Sequence, residues 1–333
     1  MGEKTVAVQW PIVLFKLLAG GGAGLLGFAG LAALLSHEAS RPWLARVNFA
    51  AAITSLVLVA AGGACVLLQV AKPAQIMAVV RNISSGSPIS LEFLAFAVTL
   101  AAGVIFLLAS RVGGGETAGE AGGGSAVGVA AGETGVAGAA AAGEAGEVGG
   151  GMAVKIAAVL AIAAALFMGF MTGYSHMAMP GTTAWHTPAI PVAFLASALL
   201  LGGFLYLLLL GLIRGRAAVG GDAAAAAAAA RTPSRDIALV KIIAISLAAL
   251  AALTIIAAVV YGLFAPLGDF AIAFWLLVPV IGGAGSLVAA ILDWRRPASS
   301  WAMLGLVAAL IGACVLRVTL WLANTGISPL LRG

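Results

Sequence analysis

Residues 190–212 read IPVAFLASALLLGGFLYLLLLGL, and none of these 23 residues is charged. An α-helix of that length is about 35 Å long, which exceeds the roughly 30 Å hydrocarbon core of a bilayer. A membrane β-strand would be shorter and would alternate apolar with polar residues, which this stretch does not do. The stretch therefore predicts a transmembrane α-helix.

The composition of the whole chain extends this interpretation. Of its 333 residues, 62% are hydrophobic and 9% are charged, whereas a soluble domain has about 25% charged residues. So few charges cannot cover a water-facing surface, and the soluble classes of protein are therefore excluded. The formal charge of +5 is interpreted as a marker of membrane orientation rather than of nucleic-acid binding.

Eight apolar runs in the chain are long enough to cross a bilayer. The segments between them carry Pro, Gly, Ser, Asn or charged residues, as helix ends and loops do. We therefore predict an all-α integral membrane protein, a single domain of eight transmembrane helices. The predicted helices cover residues 8–35, 45–70, 89–109, 152–174, 190–212, 237–263, 270–292 and 300–323.

The lysines and arginines indicate the orientation of these helices. Lys4, Lys72, Arg81 and Arg332 flank the helices on the side of the N-terminus. Eleven others lie on the opposite side and only Lys16 and Arg317 lie deep within spans, which accounts for all 17. Because positive residues are retained in the cytoplasm, both termini are predicted on the outer, periplasmic face. The predicted location is the bacterial cytoplasmic (inner) membrane.

Two segments of low complexity lie on the predicted cytoplasmic face. Residues 113–151 are almost wholly Gly, Ala, Glu, Val, Ser and Thr, and residues 217–234 contain a run of eight alanines at 223–230. Both are predicted to be flexible loops, since they lack the residues needed for a packed core. Helix formation is the alternative for the alanine run.

Apart from the residues in the first turns at the inner face, the inner halves and middles of the spans carry almost no charge, and polar residues gather toward the predicted outer face. Because polar groups in a membrane are costly and usually functional, this asymmetry predicts a polar site near the outer interface. The residues concerned are Lys16, Gln69, Glu92, Tyr174, His176 and Arg317, with Lys72, Arg81, Trp185, His186, Thr187 and Asp269 in the adjoining loops.

Each of these residues also has an interpretation without a functional site. Lys16 would then extend its ammonium group to the lipid headgroups, and Tyr174 would be an aromatic anchor at the interface. His176 would lie at the surface. Arg317 has apolar neighbours in the sequence, which favours an ion pair or a ligand contact. Glu92 is either an interface residue or a group that handles protons.

The sequence also argues against bound redox centres in this chain. A transmembrane haem would need pairs of histidines within facing spans, but the three histidines lie in loops or at the end of a span. An Fe–S cluster needs four thiolates, and only Cys65 and Cys314 are present. We therefore expect no haem, no Fe–S cluster and no other metal in this chain.

Short motifs in the order of the eight spans resemble a known family. The chain resembles the membrane anchor subunit of dimethyl sulfoxide reductase (DmsC), within the broader NrfD/polysulfide reductase anchor group. The resemblance covers most of the chain outside the two low-complexity segments. The motifs are Gln9-Trp10-Pro11, the run from Gln69 to Pro73, Glu92 at the start of the third span, Tyr174 with Trp185-His186-Thr187-Pro188, and Gly312, Arg317 and Trp321 in the last span.

The resemblance implies a non-catalytic subunit of an oxidoreductase complex. Its partners would be an Fe–S electron-transfer subunit and a molybdopterin catalytic subunit on the outer face. Such an anchor oxidises menaquinol and passes the electrons to the Fe–S subunit. The resemblance implies that Glu92 is the acid–base residue. The residues that would bind the quinol are Gln69, Lys72, Lys16, Arg81, Tyr174, His176 and Arg317.

Two positions depart from the family pattern. The family has a histidine, implicated in quinol handling, where this chain has Gln69, and an acidic residue can stand where this chain has Ala313. Glutamine cannot exchange a proton at physiological pH, whereas histidine can. Either Glu92 carries the proton while Gln69 only hydrogen-bonds the quinol, or His176 or His186 takes the histidine's place.

The predicted quinol pocket lies between the first, second, third and eighth helices near the outer face. Lys16, Lys72 or Arg317 would stabilise negative charge as the quinol loses a proton. Two alternatives remain open. A secondary transporter would have charges near the bilayer midplane, broken helices and an internal repeat. In a purely structural anchor, Glu92 and Arg317 would pair with each other or with a partner subunit.

Overall fold

The computed structural model of the chain describes residues 9–35, 41–69, 81–115, 136–178, 186–219, 235–262, 271–295 and 299–324. Within these residues all regular structure is helical. Eight helices in this described part of the chain are long enough and apolar enough to cross a membrane. The prediction of an all-helical membrane bundle with eight spans is therefore confirmed.

The helices are numbered α1 to α8 in chain order. A short 3₁₀ turn, Ile83–Ser85, precedes α3 and ends at Gly86, whose φ of +65° lies in the left-handed region. The bounds are Trp10–Leu35 for α1, Arg41–Gln69 for α2, Pro88–Gly115 for α3, Val136–Met177 for α4, Ala189–Val219 for α5, Arg235–Gly262 for α6, 271–295 for α7 and Ser299–Asn324 for α8.

The helix α4 starts earlier than the hydropathy pattern predicts. Residues 136–151 belong to the segment predicted to be a flexible loop, but their backbone is helical and continuous with the membrane span. Alanine is the best helix former, and this part of the segment contains the run AAAA at 139–142. Residues 113–115 continue α3, and residues 217–219 continue α5. The rest of the two low-complexity segments lies outside the described residues.

The first helix forms the centre of the bundle. Of the apolar window of α1, 83% is buried, against 28% in both α2 and α3. It packs against α2, α4 and α5. At the crossing with α5, a Cβ atom on Gly24 or on Gly202 would collide with the backbone of the other helix. Such contacts between small residues bring membrane helices close together.

The seventh helix is not a regular α-helix. It consists of Ala271–Trp275, a π-helical segment Leu276–Gly285, and Ser286–Arg295. Pro279 lies inside the π-helical segment, and proline has no N–H to donate to the preceding turn. At the crossing with α8, a Cβ atom on Gly282 would lie 2.6 Å from Gly312 Cα. The predicted span 270–292 thus contains a change of helical register that hydropathy does not reveal.

Candidate functional site

Lys16 is the centre of a polar cluster inside the bundle. Its side chain lies in α1 and the residue is 3% exposed. The Nζ atom lies 3.1 Å from Glu92 Oε1 and 3.3 Å from Glu92 Oε2. It also donates to the Thr172 carbonyl oxygen at 2.8 Å and to Ser175 Oγ at 2.7 Å. These contacts tie α1 to α3 and α4.

The start of α3 explains the placement of Glu92. Ser87 caps the helix, because its Oγ accepts from the Ser90 N–H at 3.2 Å, and Pro88 occupies the first helical position, where proline is favoured. Glu92 therefore lies close to the N-terminal end of α3. Glu92 is 8% exposed. The positive end of the helix dipole stabilises a carboxylate in such a position.

Arg317 forms a second part of the same cluster. The residue is 1% exposed. Its Nη1 donates to the Ala313 carbonyl oxygen at 2.9 Å, and its Nη2 donates to Ser197 Oγ at 3.2 Å and to the Lys16 carbonyl oxygen at 3.4 Å. The guanidinium carbon lies 4.6 Å from the centre of the Phe194 ring. Arg317 thereby connects α8 to α1 and α5.

His176 lies next to this arginine rather than at the surface. It is 2% exposed. Its ring meets the edge of Phe194 at 5.5 Å and of Trp321 at 6.1 Å, measured between ring centres. Because α4 continues to Met177, His176 still belongs to this helix, and its side chain lies inside the bundle.

Three of the interpretations without a functional site are therefore wrong. Lys16 does not extend to the lipid headgroups, because its ammonium group is buried among Glu92, Thr172 and Ser175. His176 is not a surface residue. Glu92 does not pair with Arg317, because its partner is Lys16. Each of these errors arises because a linear pattern does not reveal which helices are neighbours.

Other predicted site residues lie elsewhere or outside the described part of the chain. Tyr174 is partly exposed and stacks on Phe170 of the same helix, with ring centres 6.1 Å apart, as an interfacial anchor would. Arg81 and His186 are exposed. Gln69 is the last residue of α2, but its side chain lies outside the described part of the structure. Lys72, Trp185 and Asp269 also lie outside the described residues.

The helices that build the cluster differ in part from those predicted for the pocket. The predicted set was the first, second, third and eighth helices, whereas the contacts described here come from α1, α3, α4, α5 and α8. Four residues of the cluster were not predicted from the sequence: Thr172, Ser175, Ser197 and Phe194. Ser175 stands between Tyr174 and His176, so its position near the predicted outer end of α4 was a usable signal. Ser197 and Phe194 carry no such signal.

A separate ion pair lies at the opposite end of the bundle, where α6 begins and α7 ends. Lys241 Nζ lies 2.9 Å from Asp293 Oδ2, and the side chains are 19% and 5% exposed. Near that end, Tyr206 Oη donates to Asn48 Oδ1 at 2.9 Å. Lys241 is one of the eleven cations on the predicted cytoplasmic side, and a role for Asp293 was not predicted from the sequence.

The cluster around Lys16 and Arg317 has a surplus of positive charge. It contains two cationic side chains and one carboxylate, Glu92. Among the described residues no carboxylate forms an ion pair with Arg317, and neither Arg317 Nε nor Glu92 Oε1 has a hydrogen-bond partner. No group of three or more metal-ligating side chains occurs in the described residues. The arrangement suits a ligand that accepts hydrogen bonds or carries negative charge.

Eight apolar helices around a buried polar cluster define a polytopic membrane protein with an internal site. The family described as "Polysulphide reductase, NrfD" matches residues 2–326. The chain therefore belongs to the NrfD family. Members of this family are membrane anchors of polysulfide reductase-type complexes, and they assemble with molybdopterin and Fe–S subunits. A comparison with curated proteins found no match.

Proposed function

We propose that this chain is a quinol-oxidising anchor of the dimethyl sulfoxide reductase type, with the cluster around Lys16, Glu92 and Arg317 as its quinol site. Menaquinol would release two electrons to a partner Fe–S subunit and two protons to the outer side of the membrane. The partner would pass the electrons to a molybdopterin subunit. The orientation with both termini outside is part of this proposal.

The observation that carries the proposal is the buried Lys16–Glu92 pair close to one end of the transmembrane bundle. Burying a carboxylate inside a membrane protein costs free energy, so buried carboxylates usually serve a function. Family membership narrows that function to a subunit of an electron-transferring complex. A membrane-soluble electron donor must meet such a subunit inside the bilayer.

Glu92 is assigned the role of proton acceptor. Its Oε1 lies 3.1 Å from Lys16 Nζ and has no hydrogen-bond partner among the described residues. A lone pair on this oxygen is therefore available to a quinol hydroxyl. A general base must lie within hydrogen-bond reach of the proton that it removes. Gln69, at the end of α2, would hydrogen-bond the quinol without exchanging a proton.

The transporter alternative has one supporting observation, the π-helical segment in α7. Broken helices line the binding sites of many transporters, and π-helical turns are frequent at functional sites. However, the ion pairs among the described residues lie near the two ends of the bundle rather than at its centre. Quinol chemistry therefore accounts for more of the polar residues than transport does.

Purification of the tagged full chain in mild detergent tests the proposed function. We expect Fe, Mo and two further polypeptides in stoichiometric amounts, and we expect reduced menaquinone analogues to reduce the Fe–S clusters of that complex. A chain that purifies alone in good yield, free of metal, would contradict the assignment. A complete complex whose clusters are not reduced by quinol would identify the chain as a structural anchor.

A further inference from the structure

The two buried cations of the cluster differ in how their hydrogen-bonding capacity is used. A lysine ammonium group has three N–H donors. Lys16 Nζ has Glu92, the Thr172 carbonyl and Ser175 Oγ within 3.3 Å. Its donors are therefore fully occupied and its charge is matched by a carboxylate. These contacts hold Glu92 in place and leave Lys16 no donor for a ligand.

Arg317 is in the opposite situation. A guanidinium group has five N–H donors, and the three acceptors around it are neutral: the Ala313 carbonyl, the Lys16 carbonyl and Ser197 Oγ. Its Nε has no hydrogen-bond partner among the described residues. The Phe194 ring at 4.6 Å offers the partial negative charge of an aromatic face. No described carboxylate neutralises this arginine.

An arginine that is 1% exposed without a matching carboxylate is unfavourable in a membrane protein. Removing a charge from water is costly, and the cost is recovered only by a counter-charge with good geometry. The cluster as described has one net positive charge from Lys16, Glu92 and Arg317. A ligand that brings one negative charge while Glu92 stays ionised would neutralise it, as an acidic analogue does.

From this contrast we propose that Arg317 recognises the anionic ring oxygen of the bound ligand, whereas Lys16 acts only as a positioning residue for Glu92. The ligand class is a hydroquinone monoanion or a stable analogue, an acidic hydroxyquinone. The inference rests on the proposed quinol function and assigns separate roles to two cations that the sequence analysis treated as equivalent.

The charge balance of the reaction follows from these roles. When Glu92 takes a proton, one quinol O–H bond breaks and a hydroquinone monoanion forms opposite Arg317. This proton transfer leaves the net charge of cluster and ligand unchanged. The monoanion then gives two electrons to the Fe–S subunit, which is the oxidant, and its second hydroxyl proton leaves. Once the neutral quinone has formed, neither Lys16 nor Arg317 has an anion beside it, so the proton on Glu92 is driven out. One quinol thus yields one quinone, two electrons and two protons.

An equilibrium binding experiment tests the role of Arg317 without turnover. The probes are a 2-hydroxy-3-alkyl-1,4-naphthoquinone, which is an anion at neutral pH, and its uncharged 2-methoxy ether. Binding to the purified full chain in nanodiscs of zwitterionic lipid is measured by calorimetry. We expect Arg317→Gln to weaken binding of the acid about tenfold or more, the range of a charge-assisted hydrogen bond. Binding of the ether should change less than about twofold.

Two control variants separate charge from position. Arg317→Lys keeps the charge and should keep most of the preference for the acid. The double variant Lys16→Met with Glu92→Gln removes the ion pair but leaves the net charge of the cluster unchanged. Its ratio of the two affinities should stay within about threefold of that of the unmodified chain.

The outcomes distinguish this inference from the proposed function. If the unmodified chain binds neither probe, the proposed quinol site is wrong. If the unmodified chain binds both probes, and Arg317→Gln weakens the two affinities equally or leaves both unchanged, the proposed role of Arg317 is wrong while the quinol site stands. If Arg317→Gln does not fold, the test uses the unmodified chain at two pH values. It should bind the acidic probe more tightly near neutral pH, where the probe is an anion, than at a pH where the probe is protonated. Equal affinity at the two pH values would overturn the inference.

Discussion

Two buried ion pairs occur among the residues that the structure describes, and they differ in their surroundings. Lys241 and Asp293 join α6 to α7 at one end of the bundle, where the lysine side chain is 19% exposed. Lys16 and Glu92 join α1 to α3 at the other end, and Arg317 lies next to them and adds a second buried cation. In the described part of that cluster, two buried cations thus share the single carboxylate of Glu92.

The comparison teaches how a structural pair differs from a site. An ion pair of one lysine and one carboxylate can often be replaced by a hydrophobic pair of similar volume without loss of stability. A buried cluster with two cations and one carboxylate gains stability when a ligand or a partner supplies a further negative charge. In this protein the surplus coincides with the cluster of highest burial, where Lys16 and Arg317 are 3% and 1% exposed.

Breaking each pair at its carboxylate should give the largest difference in stability. Glu92→Gln leaves Lys16 and Arg317 buried without a described carboxylate, and we expect a loss of about 3–5 kcal/mol in the free energy of unfolding. Asp293→Asn is the matched variant, and it should cost only about 1–2 kcal/mol, because the lysine that it leaves, Lys241, has a side chain that is 19% exposed and that water can solvate. Denaturant titration of both variants in the same micelle measures the difference. Equal losses would contradict the distinction between the two pairs.

Exchanging the two charges should rescue one pair but not the other. Lys241→Asp with Asp293→Lys places a lysine in the last turn of α7, where the helix dipole favours a cation, so at least about half of the lost stability should return. Lys16→Glu with Glu92→Lys should not recover stability. The Thr172 carbonyl, 2.8 Å from Lys16 Nζ, can only accept a hydrogen bond, and a carboxylate cannot donate one. Thermal unfolding of both double variants is the measurement, and rescue at Lys16 would contradict the account.

A smaller effect is expected at Ser197, which holds Arg317 from α5. Ser197→Ala removes the acceptor 3.2 Å from Arg317 Nη2 and should cost about 1 kcal/mol of stability. Ser246→Ala in α6, where the serine is exposed, is the control and should change stability by less than about 0.5 kcal/mol. The midpoints of urea unfolding report both values. An unchanged midpoint in Ser197→Ala would remove this serine from the support of Arg317.

Hydropathy predicted the number of spans because eight apolar runs are separated by polar or flexible residues. It also predicted that polar residues would gather at one end of the bundle, because depth within a span can be read from position along the chain. Lys16, Glu92, His176 and Arg317 all follow this rule. Their burial in one cluster depends on a further fact, the central position of α1 against α2, α4 and α5.

The features that sequence did not predict depend on which helices are neighbours. Glu92 belongs with Lys16 rather than with Arg317 because α3 and α4 meet α1 at that level. Asp293 becomes significant only when α7 is seen beside Lys241 in α6. The π-helical segment that contains Pro279 lies where Gly282 packs closely on Gly312. A one-dimensional pattern contains no such lateral information.

The most direct test of the account is the reduction of the partner Fe–S clusters by quinol in the Glu92→Gln complex. We expect the rate to fall by about 100-fold or more, the usual contribution of a general base, while reduction of the same clusters by dithionite and the Fe and Mo contents stay unchanged. Asp293→Asn removes a second buried carboxylate of the described residues, at the opposite end of the bundle, and should keep the quinol rate within about twofold of the unmodified complex. An unchanged quinol rate in Glu92→Gln would contradict the assignment of the cluster as the quinol site.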